Sequence, residues 1–128
     1  MEPSQCNLLE EQPSARETEV SELLLRANGI RVERIVSVGQ ASPEGFWYDQ
    51  GEAEWVMVVA GRARLTIAGE SSDRHLDAGD AIYLPAGCRH RVAWTDPVQQ
   101  TVWLALFVDA ELNPCIGDLM MSRSNEGS

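Results

Sequence analysis

The stretch Gly79-Asp80-Ala81-Ile82-Tyr83-Leu84-Pro85-Ala86-Gly87-Cys88-Arg89-His90 limits what this 128-residue chain can fold into more than any other. Gly79-Asp80 breaks the chain ahead of Ala81 to Leu84, an apolar run of the length of a buried strand. Pro85-Ala86-Gly87 then forces a tight reversal, because proline fixes φ and glycine accepts positive φ. A second strand is expected to open at Cys88. Side chains alternate along a strand, so Cys88, His90, Val92 and Trp94 share one face, and that face carries the apolar residues. Arg89 and Arg91 point the other way. His90 is thereby aimed at an interior.

Upstream, Glu54 heads an apolar strand that ends at the turn Gly61-Arg62, and Ala63 to Ala68 returns from it as a hairpin. An earlier hairpin is expected around Asn28-Gly29, a pair suited to a type I′ turn. Its second arm, Ile30 to Val36, alternates until Glu33-Arg34, where a bulge is expected. Leu23 to Ala27 is either the first arm or the end of a short helix capped at Asn28-Gly29. Phe46 to Gln50 reads as an aromatic strand, with a turn over Gly51 to Ala53. Thr101 to Val108 is a long apolar strand. Turn signals recur about every ten residues without a long amphipathic helix, the pattern of an antiparallel sandwich or barrel.

These two stretches resemble the paired motifs of the cupin superfamily. Gly79, Pro85, Gly87 and His90 match every spacing of the second motif, and Glu54 and Gly61 match the end of the first. The resemblance covers roughly Val36 to Val108. The chain is also similar to short bacterial single-domain cupins with Trp-Tyr-Asp-Gln ahead of a Glu-Trp strand. It implies an all-β fold, a cupin-like jelly-roll barrel of antiparallel strands. Three segments are expected: a flexible N-terminal arm over 1–19, the barrel domain over 20–108, and a loose C-terminal tail over 109–128.

The resemblance puts Glu54 and His90 on inward faces near the barrel mouth, as two donors for a divalent metal such as Fe, Mn, Ni or Zn. Metal-binding cupins also carry His-x-His three or four residues before the glutamate. Here those positions fall on Tyr48 and Gln50, or on Trp47 and Asp49. Neither frame supplies a histidine. Asp49 is the best third donor, with Gln50 as a weaker neutral alternative. Cys88 is a further candidate ligand, or else a small core residue. Trp94 stands where an asparagine is common and, with Trp47 or Tyr48, is a candidate pocket wall. Of the arginines, all read as outward, and none is singled out as an anion clamp. The function expected from the resemblance is a small-molecule pocket protein with a metal at Glu54, His90 and Asp49, with oxygenase or isomerase chemistry. The competing expectation is a metal-free binding or sensing module, with Glu54 and His90 paired as a satisfied polar cluster.

Charge narrows the partners. The net charge is −10 and there is no lysine, which argues against nucleic acid and against an anionic membrane surface. No apolar run approaches the roughly 20 residues of a membrane span. Three cysteines build no disulfide framework and fit a reducing cytoplasm. No start resembling a signal peptide is present, no nucleophile is paired with a base, and no glycine loop suits a phosphate. Exposed barrel edges predict a homodimer, with the Asn28-Gly29 hairpin as the exchanged or paired element.

Overall fold

The computed structural model describes residues 1–121; the part of the expected tail beyond 121 lies outside the described residues. Eight strands run from Val20 to Asp109: β1 (Val20–Ala27), β2 (Ile30–Ser37), β3 (Glu52–Ala60), β4 (Arg62–Ile67), β5 (Arg74–Asp77), β6 (Ala81–Leu84), β7 (His90–Thr95) and β8 (Thr101–Asp109). They form a five-stranded sheet, β1-β2-β8-β3-β6, and a three-stranded sheet, β5-β4-β7. All pairings between strands are antiparallel. A 3-10 turn over Ala110–Leu112 and a single helical turn, α1 (Asp118–Met121), follow. No helix among the described residues is long and apolar enough to cross a membrane.

The sheets meet face to face. Val56 and Val58 of β3, Ile82 and Leu84 of β6, and Trp103, Ala105 and Phe107 of β8 pack against Ala63, Leu65 and Ile67 of β4 and Leu76 of β5. Alternation along each strand delivers these residues to one interior. The two sheets are separate hydrogen-bonded units, so the expected barrel is built as a sandwich closed by side chains.

The chain changes sheet at Gly61, between β3 and β4. Its φ is +89°, and a Cβ there would lie 2.6 Å from Thr101 Cα and 2.9 Å from the Gln100 carbonyl oxygen. Glycine is required on both counts. The Thr101 hydroxyl closes the corner, donating to the Arg62 carbonyl at 3.1 Å.

Several elements differ from the sequence expectations. Leu23 to Ala27 is strand, not helix, and the irregularity of that hairpin falls at Leu24 in β1, across from Val32 and Glu33. Phe46 to Gln50 forms no strand; it is tacked to β7 by a single bridge, Tyr48 to His90. β7 starts at His90, two residues later than expected, and β3 starts at Glu52. The strand signal at Phe46–Gln50 came from aromatic composition, which reports a half-buried surface and not a ladder. β1 lies at the sheet edge with Leu23 and Leu25 exposed.

The segment expected as a loose arm is tied to the body. Arg34, only 8% exposed, donates to the carbonyls of Leu8, Glu10 and Glu11 and to the Glu22 carboxylate. Ala15 is fully buried; its N–H donates to Gln100 and its carbonyl accepts from Gln40. The arm has no hydrophobic periodicity, so nothing local announces this. Its partners lie 85 and 25 residues away along the chain.

Two outcomes are expected. Gly61→Ala costs at least about 2 kcal/mol in urea midpoint measurements, whereas Gly69→Ala, at φ +92° with nothing within 4 Å, costs only about 1 kcal/mol of backbone strain. Equal losses at both sites would contradict the corner constraint. Arg34→Ala strands three carbonyls, lowers stability by about 2 kcal/mol, and speeds trypsin cleavage after Arg16. Unchanged cleavage at Arg16 would show that Arg34 does not hold the arm.

Candidate functional site

A cavity of about 210 Å³ opens between the sheets. It has room for about seven waters, so it suits a small ligand. Its floor is apolar, from Val56, Leu65, Leu84 and Val92. Its polar groups are Glu19, Ser21, Arg31, Tyr48, Gln50, Glu54 and His90.

His90 begins β7 opposite Ile67 of β4, on the inward side. Glu54 enters from the other sheet, on β3 between Leu84 and Phe107. Their side chains meet with His90 Nε2 3.6 Å from Glu54 Oε1, an ion-pair separation longer than a hydrogen bond. Both are largely buried, with side-chain exposures of 8% and 13%. The other ring nitrogen, Nδ1, lies 2.9 Å from the Cys88 carbonyl. A carbonyl only accepts, which assigns a proton to Nδ1 and leaves Nε2 facing Glu54 and the cavity. Burial by itself lowers the His90 pKa. Glu54 and the Cys88 carbonyl more than offset it, and the net shift is upward.

The segment 46–50 sets the wall beside this pair. Tyr48 N–H donates to the His90 carbonyl at 2.7 Å and His90 N–H returns to the Tyr48 carbonyl at 3.1 Å. Gly87 N–H donates to the Gln50 carbonyl at 2.9 Å. Tyr48 and Gln50 therefore point into the cavity, with the Tyr48 ring stacked on the His90 imidazole at 5.2 Å. Trp47 and Asp49 do not line it: Trp47 lies under the Arg89 guanidinium at 5.2 Å and Asp49 is exposed. Arg91 fastens the same segment from outside, donating to the carbonyls of Ser42, Pro43 and Phe46. Of the two spacings left open in the sequence, the backbone presents 48/50 to His90. Asp49, expected as the third donor, is directed to solvent by the alternation that turns its neighbours inward.

Two other candidates also leave the cavity. Cys88 precedes the strand and packs half-buried against the core. Burial pushes its thiol pKa up, so the protonated form is held; its carbonyl, not its sulfur, serves His90. Trp94 is turned away from His90's face. Arg64 pairs with Trp94 but Leu65 with Val92, so Ala93 is an extra residue that reverses the alternation. Trp94 stacks outside on Arg64 at 4.7 Å.

Two residues are gained. Arg31 was expected to face outward, but its register opposite Phe107 turns it inward. It sits 4.2 Å over the Phe107 ring and bonds Glu33 at 2.7 Å and Glu52 at 3.0 Å. The apolar Ile30 and Val32, which masked it, face the outside of the sheet. Glu19 accepts from the Ser37 hydroxyl at 2.9 Å, and Ser37 accepts from the Trp103 indole N–H at 3.2 Å. This relay aims Glu19 at the mouth. The spacing of Arg31 and Glu33, two apart on one strand face, was the only local signal.

Comparison with known proteins identifies the family and the fold. The cupin domain family matches residues 33–107, and the chain belongs to that family. A putative mannose-6-phosphate isomerase from Ralstonia eutropha JMP134 is 48% identical, with a TM-score of 0.82 over 84% of this chain and all of that one. Oxalate decarboxylase of Bacillus subtilis is 36% identical over 89 residues, and the match spans 67% of this chain but only 22% of that protein. A Streptococcus pyogenes protein of unknown function, 19% identical with a TM-score of 0.67, covers 85% of this chain and 90% of its own and shares the fold alone.

The donor set tests the metal. Catalytic zinc sites take three protein ligands, and no group of three His, Cys, Asp or Glu converges among the described residues. Burial first, then Glu19 and Glu54, push the Tyr48 pKa up. Gln50 adds only a neutral oxygen. Glu54 and His90 alone do not make the three-donor centre that the resemblance implies.

The raised His90 pKa carries a pH dependence. A raised folded value means that the pairing stabilises fully below about pH 6.5, the unfolded value, and that the gain is lost as pH rises through the folded value. The expected outcome is a His90 titration above that of free histidine by NMR. It should fall in Glu54→Gln, which also loses the extra stability at mildly acidic pH. An unchanged midpoint in Glu54→Gln would remove Glu54 as the cause.

Proposed function

We propose that the protein binds a small organic molecule between its sheets and that His90, backed by Glu54, moves a proton to or from it without a resident metal. The observation that carries this is the ring's orientation: the Cys88 carbonyl holds Nδ1 at 2.9 Å and Nε2 faces the cavity 3.6 Å from a carboxylate. Protonated, Nε2 donates; neutral, it offers a lone pair to the same space. A group that takes and returns a proton at one atom suits an isomerase. Glu54 stabilises the imidazolium that forms, and Tyr48, stacked on the ring, fixes its plane. The apolar floor keeps bulk water from the exchange.

The name of the Ralstonia neighbour supports the reaction class. It does not extend as readily to a sugar phosphate, because Arg31, the arginine that lines the cavity among the described residues, already donates to two carboxylates. Oxygenase chemistry, which the resemblance ties to a metal, has the weaker support because the donor set stops at two.

The test is hydrogen exchange into small carbonyl compounds such as hydroxyacetone and aminoacetone, followed by NMR in D2O with a chelator present. The wild type is expected to speed deuterium uptake, and His90→Ala and Glu54→Gln to lose about 100-fold or more. Calorimetric titration with Fe(II), Mn, Ni and Zn is expected to show no saturable 1:1 binding. Tight binding abolished by either substitution, or exchange that the chelator stops, would overturn the metal-free mechanism.

A further inference from the structure

The Glu54 side chain is 13% exposed, lines the cavity, and has His90 Nε2 3.6 Å from one oxygen as its ion-pair partner. A carboxylate has about four acceptor sites. The cavity thus presents lone pairs of Glu54 to whatever enters it. Across the mouth, Glu19 is a second carboxylate, held in position by the Trp103–Ser37 relay. Among the described residues, the one arginine in the lining, Arg31, is neutralised twice, by Glu33 and Glu52. Glu19, Glu33, Glu52 and Glu54 therefore outnumber Arg31 and His90 around this space whether or not His90 is protonated.

We propose that the ligand is a small organic cation, an amine-bearing molecule whose ammonium N–H groups donate to Glu54 and Glu19 while its carbon skeleton rests on the apolar floor. This rests on the pocket reading above and names its ligand class. Hydrogen-bonding ammonium is favoured over a quaternary one because one face of the Phe107 ring is occupied by Arg31 and one face of Tyr48 by His90. Recognition falls to the carboxylates and not to open ring faces. The volume of about 210 Å³ limits the skeleton to about one ring or a short chain. Tyr48 stays a neutral hydroxyl between the two carboxylates, an additional donor or acceptor.

Three probes of one shape separate charge from size: benzylamine, benzyl alcohol and benzoate, titrated into the full chain by calorimetry and by Trp fluorescence at pH 7. Benzylammonium is expected to bind at least tenfold more tightly than the alcohol, with no saturable binding of benzoate. Glu54→Gln and Glu19→Gln should each weaken benzylammonium at least threefold and leave the alcohol unchanged. Added salt should weaken benzylammonium alone. Tetramethylammonium should bind less well than benzylammonium. Preference for benzoate, equal binding of all three, or binding of none would overturn the proposal. The proton-transfer reading is judged separately, by the His90 titration and the deuterium exchange. If His90 still responds to Glu54→Gln while benzoate is preferred, the catalytic pair stands and only the ligand's charge is refuted.

Discussion

The corner at Gly61 is the constraint on which the rest of the fold depends. There the chain leaves the five-stranded sheet and enters the three-stranded one with its backbone against Thr101. Thr101 begins β8, the strand that runs between β2 and β3. One close approach therefore sets how far apart the sheets stand at that end. Glu54, near the start of β3, lines the cavity, and Gly61 directly follows the end of the same strand. Packing the interior to full density would remove the site. The strand that carries the site's carboxylate therefore ends in the contact that forces the chain to change sheet.

Within that space, charge is arranged by opposition. β7 brings the histidine and β3 the glutamate, so neither sheet alone holds the pair. Burial works against a charged imidazole, and the neighbouring carboxylate and carbonyl reverse the balance. Arg31 shows the other solution: a charge kept near the interior by two carboxylates and the face of an aromatic ring. The first group keeps a proton available for exchange. The second is saturated and serves as a wall.

How much of this was legible in the sequence follows from distance along the chain. Gly79, Pro85, Gly87 and His90 encode a turn whose chemistry is local, and the inward histidine follows from it. Glu54 was legible through the resemblance of its stretch to the first cupin motif. Trp94 was not, because one extra residue at Ala93 reverses the alternation, and a bulge leaves no mark in an ordinary Val-Ala-Trp run. Asp49 was misassigned because two spacings were equally open, and a single bridge from Tyr48 to β7 decided between them. Arg31 was hidden because the apolar residues beside it cover the outer face of the sheet. Glu19 is aimed by Ser37 and Trp103, residues that only the tertiary fold brings near.

The anchoring of the first residues has a temporal meaning. Ala15 is held by Gln100 through its N–H, and its neighbour Gln12 meets the same side chain. Arg34 and Gln40 lie within 26 residues of the arm residues they hold, whereas Gln100 lies 85 residues beyond Ala15. The near contacts close short loops at lower entropic cost, and the far one closes a long loop. The arm is thus clasped in two stages, first to β2 and the turn after it, then to the segment that leads into β8.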